Sequence, residues 1–267
     1  MRMLKICGGG ALTVRRLLLT LAGRHCPFGC SYCFAAFRAY SRPVTFESVE
    51  RDRSQLEGID VIYPACDVDL FAYSDAIEIL ERAALLGCSI SVSTKAALTE
   101  ERVERIASIA TRMRAQGHVL KIGSSFSTKR GIHDTEPRTA TYDSRMLTLQ
   151  LLNQYRVTTS IVLKPVRVEI PAREYCEIVR DAERFTRLVL IGEEYLDPDA
   201  STNLIAETRI VGWASGQPTW PVKGAADHLR GIADYARSLG LECFFSDLEL
   251  MDFASRTSLP ACVALDA

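Results

Sequence analysis

Hydrophobic residues fall into short apolar runs, separated by longer stretches in which apolar positions recur at helical spacing. The runs at 16–22, 60–64, 89–93, 119–124, 158–163 and 188–191 predict strands, with a seventh at 242–245. Several are rich in Val and Ile, the composition of parallel strands buried on both faces. The stretches at 46–57, 74–86, 100–116, 143–155, 172–185 and 225–239 predict helices. Gly87, Gly117 and Gly240 stand where three of these helices should stop, as a left-handed C-terminal cap prefers. Thr99 is placed to cap the helix that begins with Glu100 and Glu101, whose charges suit a first turn.

Alternating strands and helices imply parallel strands joined by right-handed crossovers. Six such units predict an α/β fold, a partial (β/α)6 TIM-like barrel. The expected organisation is one domain over 1–267, with the core at 15–195. An irregular segment on the substrate side, then a helix and a strand, follows over 196–267. In such folds the site lies at the carboxyl ends of the strands. The least regular stretch, 197–222, holds Trp213 and Trp220, which either stack on a base or sugar or anchor a hairpin.

Composition narrows the classes of function. The chain has 267 residues, 48% hydrophobic and 24% charged, with a net charge of −1, so no overall basic field gathers nucleic acid or anionic lipid. The apolar run at 17–22 is too short for a secretory signal and is followed at once by Arg24 and His25. No run approaches the ~20 residues of a membrane span. Nine cysteines, an odd number and mostly far apart, do not suit a secreted disulfide framework; they point to a reducing, cytoplasmic setting.

Three cysteines are not far apart. Cys26, Cys30 and Cys33 form a C-x3-C-x2-C pattern after the first strand run. Thiolates suit iron–sulfur clusters, and three on one loop can hold three irons of a 4Fe–4S cube. The fourth iron stays open to an amino acid's amine and carboxylate. A structural zinc site, with His25 as fourth ligand, is the competing reading, although His25 is badly placed beside Cys26.

The spacing, Tyr32 before the third cysteine and the strand context resemble the radical S-adenosylmethionine (SAM) superfamily. Further segments narrow the resemblance: Cys66-Asp67-Val68-Asp69, Ser93-Thr94-Lys95, Ser124-Ser125, Glu136-Pro137-Arg138-Thr139 with Asp143 and Arg145, and Lys164-Pro165. Their order is similar to that in spore photoproduct lyase and its relatives, clearly so over residues 17–165. The resemblance implies a 4Fe–4S cluster on Cys26, Cys30 and Cys33. It also implies SAM contacts from Lys95 and Ser125, a hydrogen-donating Cys66 and a Tyr32 linked to that radical relay. Phe34 and Val68 depart from the lyase pattern, which has a tyrosine and a serine there.

Asp69, with Asp67, either binds cofactor or substrate or caps the next helix. Cys66 by itself reads equally as a small buried hydrophobe. Glu136 and Arg145 read as a structural pair bracing the loop between them. The implied activity is reductive cleavage of SAM to a 5′-deoxyadenosyl radical that takes a substrate hydrogen. With hydrogen return from Cys66, the outcome is a redox-neutral epimerisation or bond cleavage. The near-neutral charge favours a nucleoside, nucleotide or other small-molecule substrate over DNA. The expected reductant is a flavodoxin or ferredoxin, and no membrane is involved. The alternatives are lyase-like repair of damaged DNA and a non-catalytic iron–sulfur or zinc module.

Overall fold

A computed structural model describes residues 14–36, 44–196, 206–210 and 219–257. Six strands run parallel in chain order: β1 (Arg16–Leu18), β2 (Val61–Tyr63), β3 (Ser89–Thr94), β4 (Leu120–Ser125), β5 (Thr158–Val166) and β6 (Leu188–Tyr195). A hairpin, β7 (Ala206–Ile210) and β8 (Thr219–Lys223), joins antiparallel to the end of β6. The last strand, β9 (Glu242–Phe244), pairs with the start of β6 and is the seventh parallel strand. The sheet curls into a half-barrel, the partial TIM-like core that strand–helix alternation predicts.

Helices α1 (Phe46–Arg51), α2 (Ala76–Ala84) and α3 (Glu100–Ala115) cover the outer face of the first four strands. There Ile62, Ile90, Val92 and Ile122 pack against Phe46, Ile79 and Ile106. A short α4 (Ile132–Thr135) precedes α5 (Tyr142–Gln154), α6 (Ala172–Ala182) and α7 (Ala226–Ser238). Helices α6 and α7 bury Tyr175, Ile178 and Ile232 against Ile161, Val189 and Ile191. The inner face is covered at one end by α8 (Asp247–Thr257), whose Leu250 and Met251 meet Leu18, Val61, Val162 and Leu190.

Several boundaries differ from the sequence expectation, for local reasons. The first strand stops at Leu18, because Thr20 turns its backbone to the chain entering α1: its N–H donates to Val44 and its carbonyl accepts from Phe46. The cysteine loop therefore begins after this extension. The helix expected at 46–57 breaks at Asp52, whose carboxylate accepts from the Ser54 N–H, and continues only as a 3-10 turn. Strand β5 runs past Lys164-Pro165 to Val166, because the register shifts between Leu163 and Val166 and a proline is tolerated at such an irregularity. The caps are as expected: Thr99 accepts from the Arg102 N–H, and Gly117 takes φ of 81°. Trp220 lies in β8, while Trp213 lies outside the described residues, as do Cys7 and Cys262.

Candidate functional site

Four ties fix the cysteine loop at the carboxyl ends of the strands. Arg24 makes a two-pronged ion pair with Asp75, at 2.7 and 2.6 Å. The Tyr73 hydroxyl donates to the His25 carbonyl at 2.7 Å. The Ser31 N–H donates to the Thr135 carbonyl at 2.9 Å, and the Tyr32 hydroxyl donates to Glu136. Phe28 is buried beneath the loop. Gly29 has φ of 64°, and a Cβ there would lie 2.5 Å from Nη2 of Arg138. The left-handed backbone at that position favours a glycine, while the Arg138 tip is free to move aside.

Cys26, Cys30 and Cys33 are free and half-buried on this loop. Burial pushes the Cys30 thiol up to about 11, and Lys95 pulls in the opposite direction. Burial raises Cys33 as well; the neighbouring Ala35 backbone and Lys95 oppose it, while Cys26 adds to it. Metal ligation requires the thiolate, so these thiols need a compensating positive centre. Among the described residues, no three His, Cys, Asp or Glu side chains are gathered so as to hold one metal ion. A cube presents a separate iron to each thiolate, so three free thiols on one anchored loop fit it without meeting at a single ion.

Lys95, at the end of β3, reaches this loop. Its ammonium lies over the Tyr32 ring, 5.8 Å from the centroid. Asp69 fixes the lysine's backbone: Oδ2 accepts from the Lys95 N–H at 2.6 Å, and Oδ1 accepts from Thr94 Oγ1 at 2.8 Å and the Phe71 N–H at 3.1 Å. Burial raises the Asp69 carboxyl despite these bonds, and both its oxygens are engaged within the protein. Of the two sequence readings for Asp69, the geometry displays the capping one.

Glu136 and Arg145 are both fully buried and pair at 2.6 Å. Arg145 also donates to Thr139, to the Ala140 carbonyl at 2.9 Å and to the Ser125 carbonyl at 2.8 Å. The pair braces the loop between its members and also joins Tyr32 to the end of β4, where Ser125 is buried. Cys66 is half-buried in the turn after β2, its N–H donating to the Leu19 carbonyl at 2.9 Å. The loop after β4 is clamped by Glu174 of α6, which accepts from the Thr128 hydroxyl and from the N–H groups of Lys129 and Arg130.

The sequence reading missed Asp247. It stands at the start of α8, bonded through Oδ1 to Nζ of Lys121 and through Oδ2 to Ser91 Oγ, both at 2.8 Å. The pattern Ser246-Asp247-Leu248-Glu249 is a helix-start signal of the S-x-x-E kind, and Ser246 Oγ does accept from the Leu248 N–H at 3.2 Å.

No protein-family model matches the chain, and no curated protein matches it. Solved structures do. A spore photoproduct lyase complexed with dinucleoside spore photoproduct matches with a TM-score of 0.55 at 14% identity, over 79% of this chain and 69% of that one. A mutant of the lyase with bound AdoMet and dinucleoside spore photoproduct gives 0.58 at 14% identity, over 87% and 76%. SuiB of Streptococcus suis bound to S-adenosylmethionine gives 0.57 at 14% identity, over 92% of this chain and 53% of that one. This chain shares its fold with these lyase and SuiB structures.

Proposed function

We propose that this protein is a radical SAM enzyme, with a 4Fe–4S cluster held by Cys26, Cys30 and Cys33. The observation that carries the reading is the meeting of the anchored three-cysteine loop with Lys95 from the end of β3, on a fold shared with proteins bound to SAM. When bound, the reduced cluster supplies the electron that cleaves SAM to methionine and a 5′-deoxyadenosyl radical.

The chain's own residues position the reactants. Lys95, a flexible ammonium beside the loop, takes the SAM carboxylate. Ser125 supports SAM from the end of β4. Asp69 acts through Lys95, by holding its backbone. Cys66, in the turn after β2, is the hydrogen-atom source in this reading. Tyr32, tied to Glu136, helps fix the loop, and the family resemblance links it to a radical relay with Cys66. With hydrogen return, the reaction is a redox-neutral epimerisation or bond cleavage on a nucleoside, nucleotide or natural-product intermediate, and a flavodoxin or ferredoxin supplies the electron.

Anaerobic reconstitution with iron and sulfide tests the ligand set. Wild-type protein should bind four irons per chain, as a 4Fe–4S cube requires, and each of Cys26→Ala, Cys30→Ala and Cys33→Ala should lose the cluster. Retention of an intact cluster by all three variants would reject the assignment. Cys66→Ala should still cleave SAM but take up no solvent deuterium into product; unchanged uptake would remove Cys66 as donor.

A second reading, repair of damaged DNA, draws on the dinucleoside spore photoproduct bound in the lyase structures. Strong weakening of DNA binding with added salt would favour it. The net charge of −1 favours a smaller substrate.

A further inference from the structure

The cysteine loop turns one face outward. His25, Pro27, Gly29 and Ser31 are exposed, and they interleave with Cys26 and Cys30, which are half-buried, as is Cys33. At Gly29 this outer face has no side chain of its own. Arg138, exposed in the segment after α4, reaches over it: Nη2 lies 2.5 Å from where a Cβ of Gly29 would stand. Arg138 has no hydrogen-bond or ion-pair partner among the described residues. A mobile, uncommitted guanidinium therefore stands on the solvent side of the peptide that leads into Cys30.

Charge around the loop is one-sided. Residues 1–46 contain seven Lys and Arg and no Asp or Glu, in a chain whose net charge is −1. Carboxylates that reach the loop and its entry are engaged within the protein. Asp75 pairs with Arg24, Glu47 accepts from the Ala22 N–H at 3.2 Å, and Glu136 serves Arg145 and Tyr32. Asp134 of α4 is exposed, so the face is not uniformly basic. That suits a weak, transient encounter of the kind electron carriers make, in which charge guides the approach more than it holds the complex.

We propose that the outer face of the cysteine loop, with Arg138 as its charged contact, is where an acidic flavodoxin docks to deliver the electron. The partner's role rests on the radical SAM reading. One electron leaves the reduced flavodoxin and enters the oxidised cluster; no bond forms or breaks. Electron transfer weakens steeply with distance, and the bare backbone at Gly29 permits close approach. Arg138 acts as a docking residue and has no part in holding SAM.

The reconstituted full chain tests this without turnover. Oxidised flavodoxin is titrated calorimetrically, and cluster reduction by reduced flavodoxin is followed by electron paramagnetic resonance of samples frozen at set times. The wild type should bind flavodoxin, and added salt should weaken binding and slow reduction. Arg138→Glu should slow reduction about tenfold at low salt and weaken binding in parallel, while Arg138→Lys keeps both. With dithionite, all three proteins should reach the same extent of reduction and yield 5′-deoxyadenosine from SAM. No flavodoxin binding by the wild type, or equal binding and rates in wild type and Arg138→Glu, overturns the docking face. Arg138-dependent binding of duplex DNA in place of flavodoxin also overturns it, in favour of the repair reading. A cluster reduced by dithionite that yields no 5′-deoxyadenosine would count against the radical SAM reading, and Arg138-dependent flavodoxin binding would then still stand as a redox contact. Failure to take up any cluster overturns both.

Discussion

Arg145 does more than its place in the sequence suggests. With no exposed surface, it pairs with Glu136 and donates to the Ser125 carbonyl, so it fixes the cysteine loop, through Tyr32, against the end of β4. A buried pair is strongly missed when one partner is removed, because the other is left charged and unmatched. Arg145→Met should therefore lower unfolding stability by about 3–5 kcal/mol, and adding Glu136→Gln should restore part of the loss. Chemical denaturation of the two variants checks this; a loss under about 1 kcal/mol for the single change would mean that the pair does not hold the loop. The sequence displayed Glu136 and Arg145 as a pair because both stand in one short segment. It could not display Tyr32 as their third member, since that bond spans 104 positions. Asp69 was ambiguous for the opposite reason: an aspartate before a turn suits a cap and a ligand equally, and only the Thr94 and Lys95 donors decide how its oxygens are used.

Among the elements, the central strands were legible because each is a compact apolar run with alternate partners inside and outside the sheet. Elements without that signal were not. The apolar run of β5 ends before Lys164-Pro165 although the strand continues to Val166, and α8 has a capping pattern at its start but no long apolar stripe. That helix buries only Leu250, Met251 and Ala254, a thin stripe that meets the inner wall and not an outer layer. Its first residue, Asp247, ties it to Lys121. Burial alone would raise this carboxyl, but Lys121, Lys164 and the Ser91 hydroxyl outweigh burial and hold it below the usual carboxylate range. A depressed carboxyl stabilises the fold above its unfolded pKa and loses that contribution as pH falls through its folded value. Asp247→Asn should thus be clearly less stable than wild type at neutral pH, and the gap should narrow as pH drops below about 4. Urea unfolding of both proteins across this range tests it; a gap that stays constant into acid would show that the Lys121 contact contributes nothing through charge.

For the whole molecule, strand order and the place of the site followed from alternation of elements and from the rule that ligands meet strand carboxyl ends. The antiparallel hairpin β7–β8 was open only as one of two readings of Trp213 and Trp220, because its strands lie in the least regular stretch and carry no repeated apolar pattern. No helix among the described residues is long and apolar enough to cross a membrane. The three-cysteine pattern was legible in residue types and spacing, whereas Lys95 was singled out only through the family resemblance, and the structure brings its ammonium over Tyr32 of that loop.

The central claim is that the cysteine loop and Lys95 together serve SAM cleavage. The most direct test is anaerobic: reconstitute the protein, confirm the 4Fe–4S cluster, reduce it, add SAM and measure 5′-deoxyadenosine by mass spectrometry. The account predicts 5′-deoxyadenosine from the wild type, none from the Cys26→Ala, Cys30→Ala, Cys33→Ala triple variant, and a strong reduction in Lys95→Met. No 5′-deoxyadenosine from an intact, reduced cluster with several reductants, or equal yields from wild type and the triple variant, would contradict it.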